Sequence, residues 1–161
     1  MKIYQDIKAN SSNTKGLFFI IFFRISNFFT KNLVLKIIGF PIRFLYKILV
    51  EWLIGIDIPD QTKIGKGFKV YHGQSLVINE ETIIGDFVTI RQSTTIGNSK
   101  SKGKSPIIEN NVIIGSNVVI IGEILIGKNS IIAAGSVVVK DVLESTLVAG
   151  NPAKFIKKIN E

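Results

Sequence analysis

The sequence contains no cysteine in 161 residues and a single histidine, His72. The first absence excludes a disulfide framework, a thiolate metal site and a thiol acyl-enzyme. The second excludes any site that draws several histidines from one chain, and no metal is expected. Acidic residues are scarce at one end. Residues 1–55 carry two Asp/Glu against eight Lys/Arg, so most of the formal net charge of +8 sits there. The same third holds eight of the eleven phenylalanines. It lacks a long uncharged run. "GLFFIIFFRISNFF" and "LVLKIIGFPIRFLYKILVEWLIGI" are interrupted by Arg24, Lys31, Lys36, Arg43 and Lys47, and Pro41 breaks the second. A membrane span needs about 20 largely uncharged residues, so neither qualifies. A signal peptide is not expected, because polar residues precede the apolar run and no small-residue cleavage site follows it. Short helices fit both stretches. Residues 1–55 therefore read as a basic, aromatic helical cap. Residues 16–54 have two readings: a surface packed against a neighbouring subunit, or a peripheral contact with the inner face of a membrane. The cations are interleaved with aliphatic and aromatic residues and form no stripe, which argues against nucleic acid as a partner.

From Ile58 onward the chain has a period of six. The first position of each hexad is Ile58, Ile64 and Val70, then Ile78, Ile84, Ile90 and Ile96, then Ile108, Ile114, Ile120, Ile126, Ile132 and Val138. The fifth position is mostly small or β-branched, as at Thr62, Thr82, Val88, Ser130 and Val142. This period suits neither an amphipathic helix nor a simple alternating strand. A short fixed repeat marks a solenoid, and hexads mark a parallel β-helix. Each hexad makes one short strand and one corner, three hexads close a coil, and coils stack at about 4.8 Å. The expected fold is an all-β solenoid over 56–145, with a C-terminal tail over 146–161.

The period breaks twice. "VYHGQSLV", from Val70 to Ile78, holds two extra residues and the only histidine. Between Ile96 and Ile108 the segment Asn98–Pro106, "NSKSKGKSP", has no aliphatic residue and reads as an extruded loop. Its Lys100, Lys102 and Lys104 read as a solvated loop face rather than a clamp. Intact coils are occupied with packing, so function is expected where the repeat is broken.

With these residues the chain resembles the hexapeptide-repeat acyltransferases, in particular the serine acetyltransferase branch. The matching stretches are "IDIPDQTKIGKGFKVYHG", "TIIGDFVTIRQSTTIGN", "VIIGSNVVIIGEILIGKNSIIAAGSVVVKDV" and "VAGNPAKFIKK", covering about residues 55–158. The resemblance implies a left-handed parallel β-helix, a homotrimer and acetyl transfer from acetyl-CoA in a ternary complex. It implies a dyad of His72 as general base and Asp57 as its partner. A lone corner histidine is ordinarily just a polar corner residue. Here the two-residue insertion, Gly73 and the spacing to Asp57 favour the catalytic reading. The resemblance further assigns the oxyanion donor to the backbone N–H of Asn98 after Gly97. It assigns contacts along CoA to Ser116 and Ala134, with the "AGNPAK" turn near the adenine end. Lys140 and Lys154 are candidates for its phosphates or ordinary surface lysines. A γ-class carbonic anhydrase shares the fold but needs three histidines, and is excluded.

The chain departs from that branch where the amino acid would bind. The acidic residue expected before the catalytic histidine is Tyr71, and an expected Arg-His pair is Lys104 and Ser105. These three positions become candidates for contacting a different acceptor. The combination resembles the short acetyltransferases of exopolysaccharide and capsule biosynthesis, of the colanic-acid type. The expected function is an O-acetyltransferase acting on a sugar hydroxyl in the cytoplasm, at the inner face of the cytoplasmic membrane. The alternatives are a serine O-acetyltransferase and a non-catalytic β-helix scaffold.

Overall fold

The aliphatic first positions of the hexads become three internal ladders. The computed structural model describes residues 2–100 and 103–159. One face stacks β1 (Ile56–Asp57), β4 (Leu76–Ile78), β7 (Thr95–Gly97), β10 (Val119–Ile121) and β13 (Val137–Val138). A second stacks β2 (Lys63–Ile64), β5 (Ile83–Ile84), β8 (Ile107–Ile108) and β11 (Leu125–Ile126). The third stacks β3 (Lys69–Tyr71), β6 (Thr89–Arg91), β9 (Ile113–Ile114), β12 (Ile131–Ile132) and β14 (Thr146–Gly150), edged by antiparallel β15 (Ala153–Lys158). All other strand pairs are parallel and in register, giving ladders such as Ile64–Ile84–Ile108–Ile126 and Val70–Ile90–Ile114–Ile132–Val148. Every first-position residue and the fifth-position Thr62, Thr82, Val88, Ser130 and Val142 are buried. A fully buried aliphatic side chain contributes about 1.5–3 kcal/mol, so the ladders are the main cohesive element of the coil.

Two corners of each coil turn through the left-handed region. Phe87, Asn111, Asn129 and Ser145 stack at one, and Ser75, Ser93, Asn117 and Gly135 at the other, all with positive φ. The first break behaves as its sequence suggests. Ile56 pairs with Leu76, where a regular coil pairs Val119 with Val137, so the extra residues bulge at the corner between β3 and β4. The segment Asn98–Pro106 leaves the coil between β7 and β8, and Lys102 lies outside the described residues.

A third break is hidden in the sequence. Ile126 bridges to Val142 and Ile132 pairs with Val148, a coil two residues short of the period. Val142 is apolar and in step with the fifth positions, which masks the deletion. The segment expected as a tail is therefore part of the sheet: β14 completes the last coil, and β15 folds back along it as far as Lys158.

The N-terminal segment closes the first coil. It comprises α1 (Lys2–Asn10), α2 (Thr14–Phe28), α3 (Leu33–Ile38), α4 (Phe40–Tyr46) and α5 (Lys47–Ile54), the last wound as a π-helix. Asn13 and Asn32 cap α2 and α3 through their side chains, and Pro41 lies in the first turn of α4, where a missing N–H costs nothing. The free edge of an open sheet is a row of unpaired backbone groups. Here side chains from the cap meet that row. Asn10 donates to Phe68 O and accepts from Val70 N–H, and Asn13 donates to Val70 O. Arg24 donates to the carbonyls of Ile64 and Gly65, and Tyr46 to that of Ile58. Asp6 accepts from Phe68 N–H and pairs with Arg24 at 2.8 Å. Phe19, Ile20 and Phe23 of α2 pack down on the coil, with Phe19 edge-on to Phe68. Gly16 permits this approach, since a Cβ there would lie 2.5 Å from Val70 O. Among the described residues no helix is long and apolar enough to cross a membrane.

Candidate active site

His72 sits at the head of the inserted bulge, exposed and with φ 66°. A non-glycine residue in that region costs about 1–2 kcal/mol, so the bulge holds the imidazole out at a conformational cost. Gly73 follows with φ 69°, and a Cβ on it would meet Ile56 Cδ1 at 2.6 Å. Glycine thus lets the bulge lie flat on β1. The backbone pins it there: Gly73 N–H donates to Tyr71 O, and Ser75 N–H to Gly55 O. The Tyr71 ring stands beside the imidazole, with centroids 6.5 Å apart.

Asp57 is the exposed residue of β1, next to the Ile56 that Gly73 rests on. Among the described residues no hydrogen bond or ion pair joins it to His72. The chain brings the two residues to one end of one face without locking them together. Asp57 instead borders two hollows. One, of about 470 Å³, runs along the outside of the first face and is also lined by Val77, Thr95, Gly97 and Asn98. The other, of about 340 Å³, lies under the cap and is lined by Lys47, Glu51, Asp60 and Glu80. Glu51 was not visible as a site residue in the sequence. Burial raises its carboxyl above the ordinary range against the pull of Lys47, and Asp57 and Asp60 push it further the same way. Asp60 itself pairs with Arg43 at 2.7 Å and accepts from Ser26.

Gly97 and Asn98 close the far edge of the first face. Among the described residues no acceptor takes the Asn98 backbone N–H, while its side chain donates to Gly103 O. The extruded loop treats its two expected acceptor contacts differently. Lys104 forms an exposed ion pair with Glu123. Ser105 is buried, and its hydroxyl bonds Asn79. That bond ties the loop to the coil.

Below His72, the corner between the third and first faces changes character. Strand register places Arg91, Gly115, Ala133 and Ala149 successively under Tyr71. The next residues along are His72, Gln92, Ser116, Ala134 and Gly150. From Gly115 downward nothing larger than serine stands on this edge, which leaves a track open to an extended ligand. Ser116 and Ala134 lie on it. Lys154 stands on β15 beside Ala149, and Lys140 is exposed beyond β13.

The family model for the bacterial transferase hexapeptide (six repeats) matches residues 105–140. Over these residues the repeat is that of the hexapeptide transferases. Its register and faces are those of their left-handed parallel β-helix. Among curated proteins, the "Putative colanic acid biosynthesis acetyltransferase WcaB" of Escherichia coli K12 is 35% identical over 89 residues, 53% of this chain and 55% of that protein. Serine acetyltransferase 4 of Arabidopsis thaliana is 43% identical over 114 residues, 70% of this chain and 32% of that one. The chain thus spans little more than half of the first relative and a third of the second. Among solved structures, soybean serine acetyltransferase superposes with a TM-score of 0.83 at 26% identity, covering 96% of this chain and 67% of that one. Serine acetyltransferase from Brucella abortus in complex with coenzyme A gives 0.83 at 28% identity, covering 99% and 68%. The hexapeptide match lies in the lower coils, and the two structural superpositions extend over the cap.

Proposed function

We propose that this chain is an acetyl-CoA-dependent O-acetyltransferase that acetylates a sugar hydroxyl during exopolysaccharide or capsule assembly. The observation that carries the reading is the exposed imidazole of His72, raised on a left-handed bulge at the head of the small-residue track. That track offers room for an extended thioester arm beside a base. His72 takes the proton of the acceptor hydroxyl as its oxygen attacks the thioester carbonyl. Asp57, one coil edge away, orients the imidazole and stabilises the imidazolium. The Asn98 N–H donates to the oxyanion that develops. It stands across the first face from His72, so it is supplied by a neighbouring copy in a homotrimer. As the C–S bond breaks, the imidazolium returns the proton to the leaving thiolate, giving the acetyl ester and free CoA. No covalent enzyme intermediate is needed. Ser116 and Ala134 flank the pantetheine arm, and Lys140 and Lys154 lie within reach of the phosphate end.

Relatives named serine acetyltransferases support a second reading, with serine as acceptor. Against it, Tyr71 replaces the expected acid and Ser105 is turned into the coil. The deciding experiment is CoA release with a panel of sugar acceptors and with serine. Rapid release at millimolar serine, and none with sugars, would replace the first reading by the second. Absence of any CoA binding would leave a scaffold.

The cap supports a cytoplasmic site of action against the membrane. Most of α3 is uncovered in the chain: Leu33, Val34, Ile37 and Ile38 are 64–73% exposed, with Phe40 and Phe44 close behind and Lys31 and Lys36 alongside. An apolar knuckle ringed by cations suits an anionic bilayer surface. Sedimentation with vesicles rich in anionic lipid, lost in Val34→Glu/Ile37→Glu, is the expected result. Equal sedimentation of that variant would remove the membrane from this reading.

A further inference from the structure

Tyr71 lies between two cations. Lys69 Nζ is 4.6 Å from its ring centroid and Arg91 Cζ is 4.9 Å, while the His72 imidazole is 6.5 Å away on the same ring. Neither cation has a carboxylate partner among the described residues, whereas Arg24, Arg43, Lys66, Lys104 and Lys128 are all paired. None of the five parallel strands of this face carries Asp or Glu. Below Arg91 the column runs to the uncharged Gly115, Ala133 and Ala149 and meets a cation again only at Lys154 of β15, so Lys69 and Arg91 form a separate cluster at the His72 end. Cation–π contact holds both cations near one spot without neutralising them. The local field at the His72 end is therefore positive.

We propose that Lys69, Tyr71 and Arg91 form an anion-binding subsite that holds a diphosphate tethering the acceptor sugar, so that the sugar hydroxyl is presented to His72. The inference rests on the acetyltransferase reading for the role of His72, but the subsite is defined by its own charges. Arg91 offers a planar fork to paired phosphate oxygens and Lys69 a compact ammonium. The Tyr71 hydroxyl donates a further hydrogen bond. The nearby cations, Lys69 foremost, already draw the Tyr71 phenol below its ordinary pKa. The tether has two chemical sources, a nucleotide diphosphate and an isoprenoid diphosphate.

The test is calorimetric titration of the full chain with inorganic pyrophosphate, with and without saturating CoA. The expected result is binding that persists under CoA, weakens tenfold or more in Lys69→Ala/Arg91→Ala, and weakens by less in Arg91→Lys, which keeps the charge and loses the planar fork. The thermal midpoint of each variant reports whether it is folded; should the double variant not fold, Lys69→Gln and Arg91→Gln singly take its place, each expected to lose severalfold. Affinity unchanged by these substitutions overturns the proposal. So does pyrophosphate that CoA displaces, because it then occupies the CoA phosphate site. Uridine diphosphate glucose and geranyl diphosphate follow as probes. The one that binds more tightly than pyrophosphate, and does so through Lys69 and Arg91, identifies the source. Glucose binding as tightly as uridine diphosphate glucose would also overturn the subsite. CoA affinity is measured separately: its absence defeats the acetyltransferase reading and leaves the pyrophosphate result to stand or fall alone.

Discussion

Truncating His72 separates a catalytic base from a corner residue. The side chain is exposed and contributes nothing to the ladders. His72→Ala is therefore expected to keep the thermal midpoint and CoA affinity of the wild type. Turnover should fall by about 10²–10⁴, the range for a positioned general base. Asp57→Asn should lose less, because water can partly orient the imidazole. Steady-state CoA release across pH, alongside thermal melts, checks both variants; near-normal turnover of His72→Ala would make the bulge merely structural. Glu51 gives a prediction with the opposite balance. Its carboxyl is raised in the folded chain, so the folded state holds a proton there that the unfolded state has already lost. Stability from this residue is present at acid pH and declines as pH rises from the ordinary carboxylate value through the raised one. Glu51→Gln should accordingly raise the thermal midpoint at neutral pH and leave it nearly unchanged at pH 3. A midpoint lowered at neutral pH would mean that Lys47 outweighs burial and the two aspartates.

At the scale of elements, the hexads were legible because each one states its own geometry. An aliphatic first position and a small fifth position need no distant partner to be read, and each of those residues is buried where the pattern puts it. The bulge at His72 was legible for the same reason, as two residues too many. The shortened last coil was not, because Val142 satisfies the hexad and the ladder at once. The cap's role was also hidden. Asp6, Asn10, Asn13 and Arg24 read as ordinary polar residues until the fold brings them to the edge of a coil 40 to 62 residues away in sequence. Arg24 is the central member, with Asp6 and two coil carbonyls as partners. Removing it leaves Asp6 charged, buried and unpaired, and breaking a buried pair in this way costs about 3–5 kcal/mol. Arg24→Ala should destabilise on that scale in urea melts. Replacing both members, as in Asp6→Asn/Arg24→Met, should recover part of the loss. An exposed cation of the same segment, Lys15→Ala, should change the midpoint little.

At the scale of the molecule, the proposed base and the proposed oxyanion donor stand apart in one chain. His72 stands on the edge between the third and first faces, and Asn98 on the opposite edge of the first face, one coil beyond the strand that His72 leads into. No rotamer bridges a whole face, so base and oxyanion donor meet only if the edge of one copy lies against a face of another. The outside of the second face supplies a surface for such packing. Ile83, Ile107 and Leu125 stack in register up its length, each 39–44% exposed, on strands that would otherwise show polar residues to water. In the proposed trimer, three copies related by a closed rotation would cover every such column and form three equivalent sites. Light scattering should therefore give three times the 17.8 kDa chain mass. Ile107→Glu places a charge in the centre of the column and should shift the protein toward monomers, with activity falling in parallel. The sharper test mixes two inactive proteins, His72→Ala and a variant with Pro in place of Asn98, which removes the donor N–H. In a mixed trimer some interfaces pair an intact His72 with an intact Asn98. Activity should then reappear after the subunits are exchanged through mild denaturation, reaching a fraction of the wild-type rate set by the mixing ratio. If each chain carried a whole site, the mixture would stay inactive at every ratio.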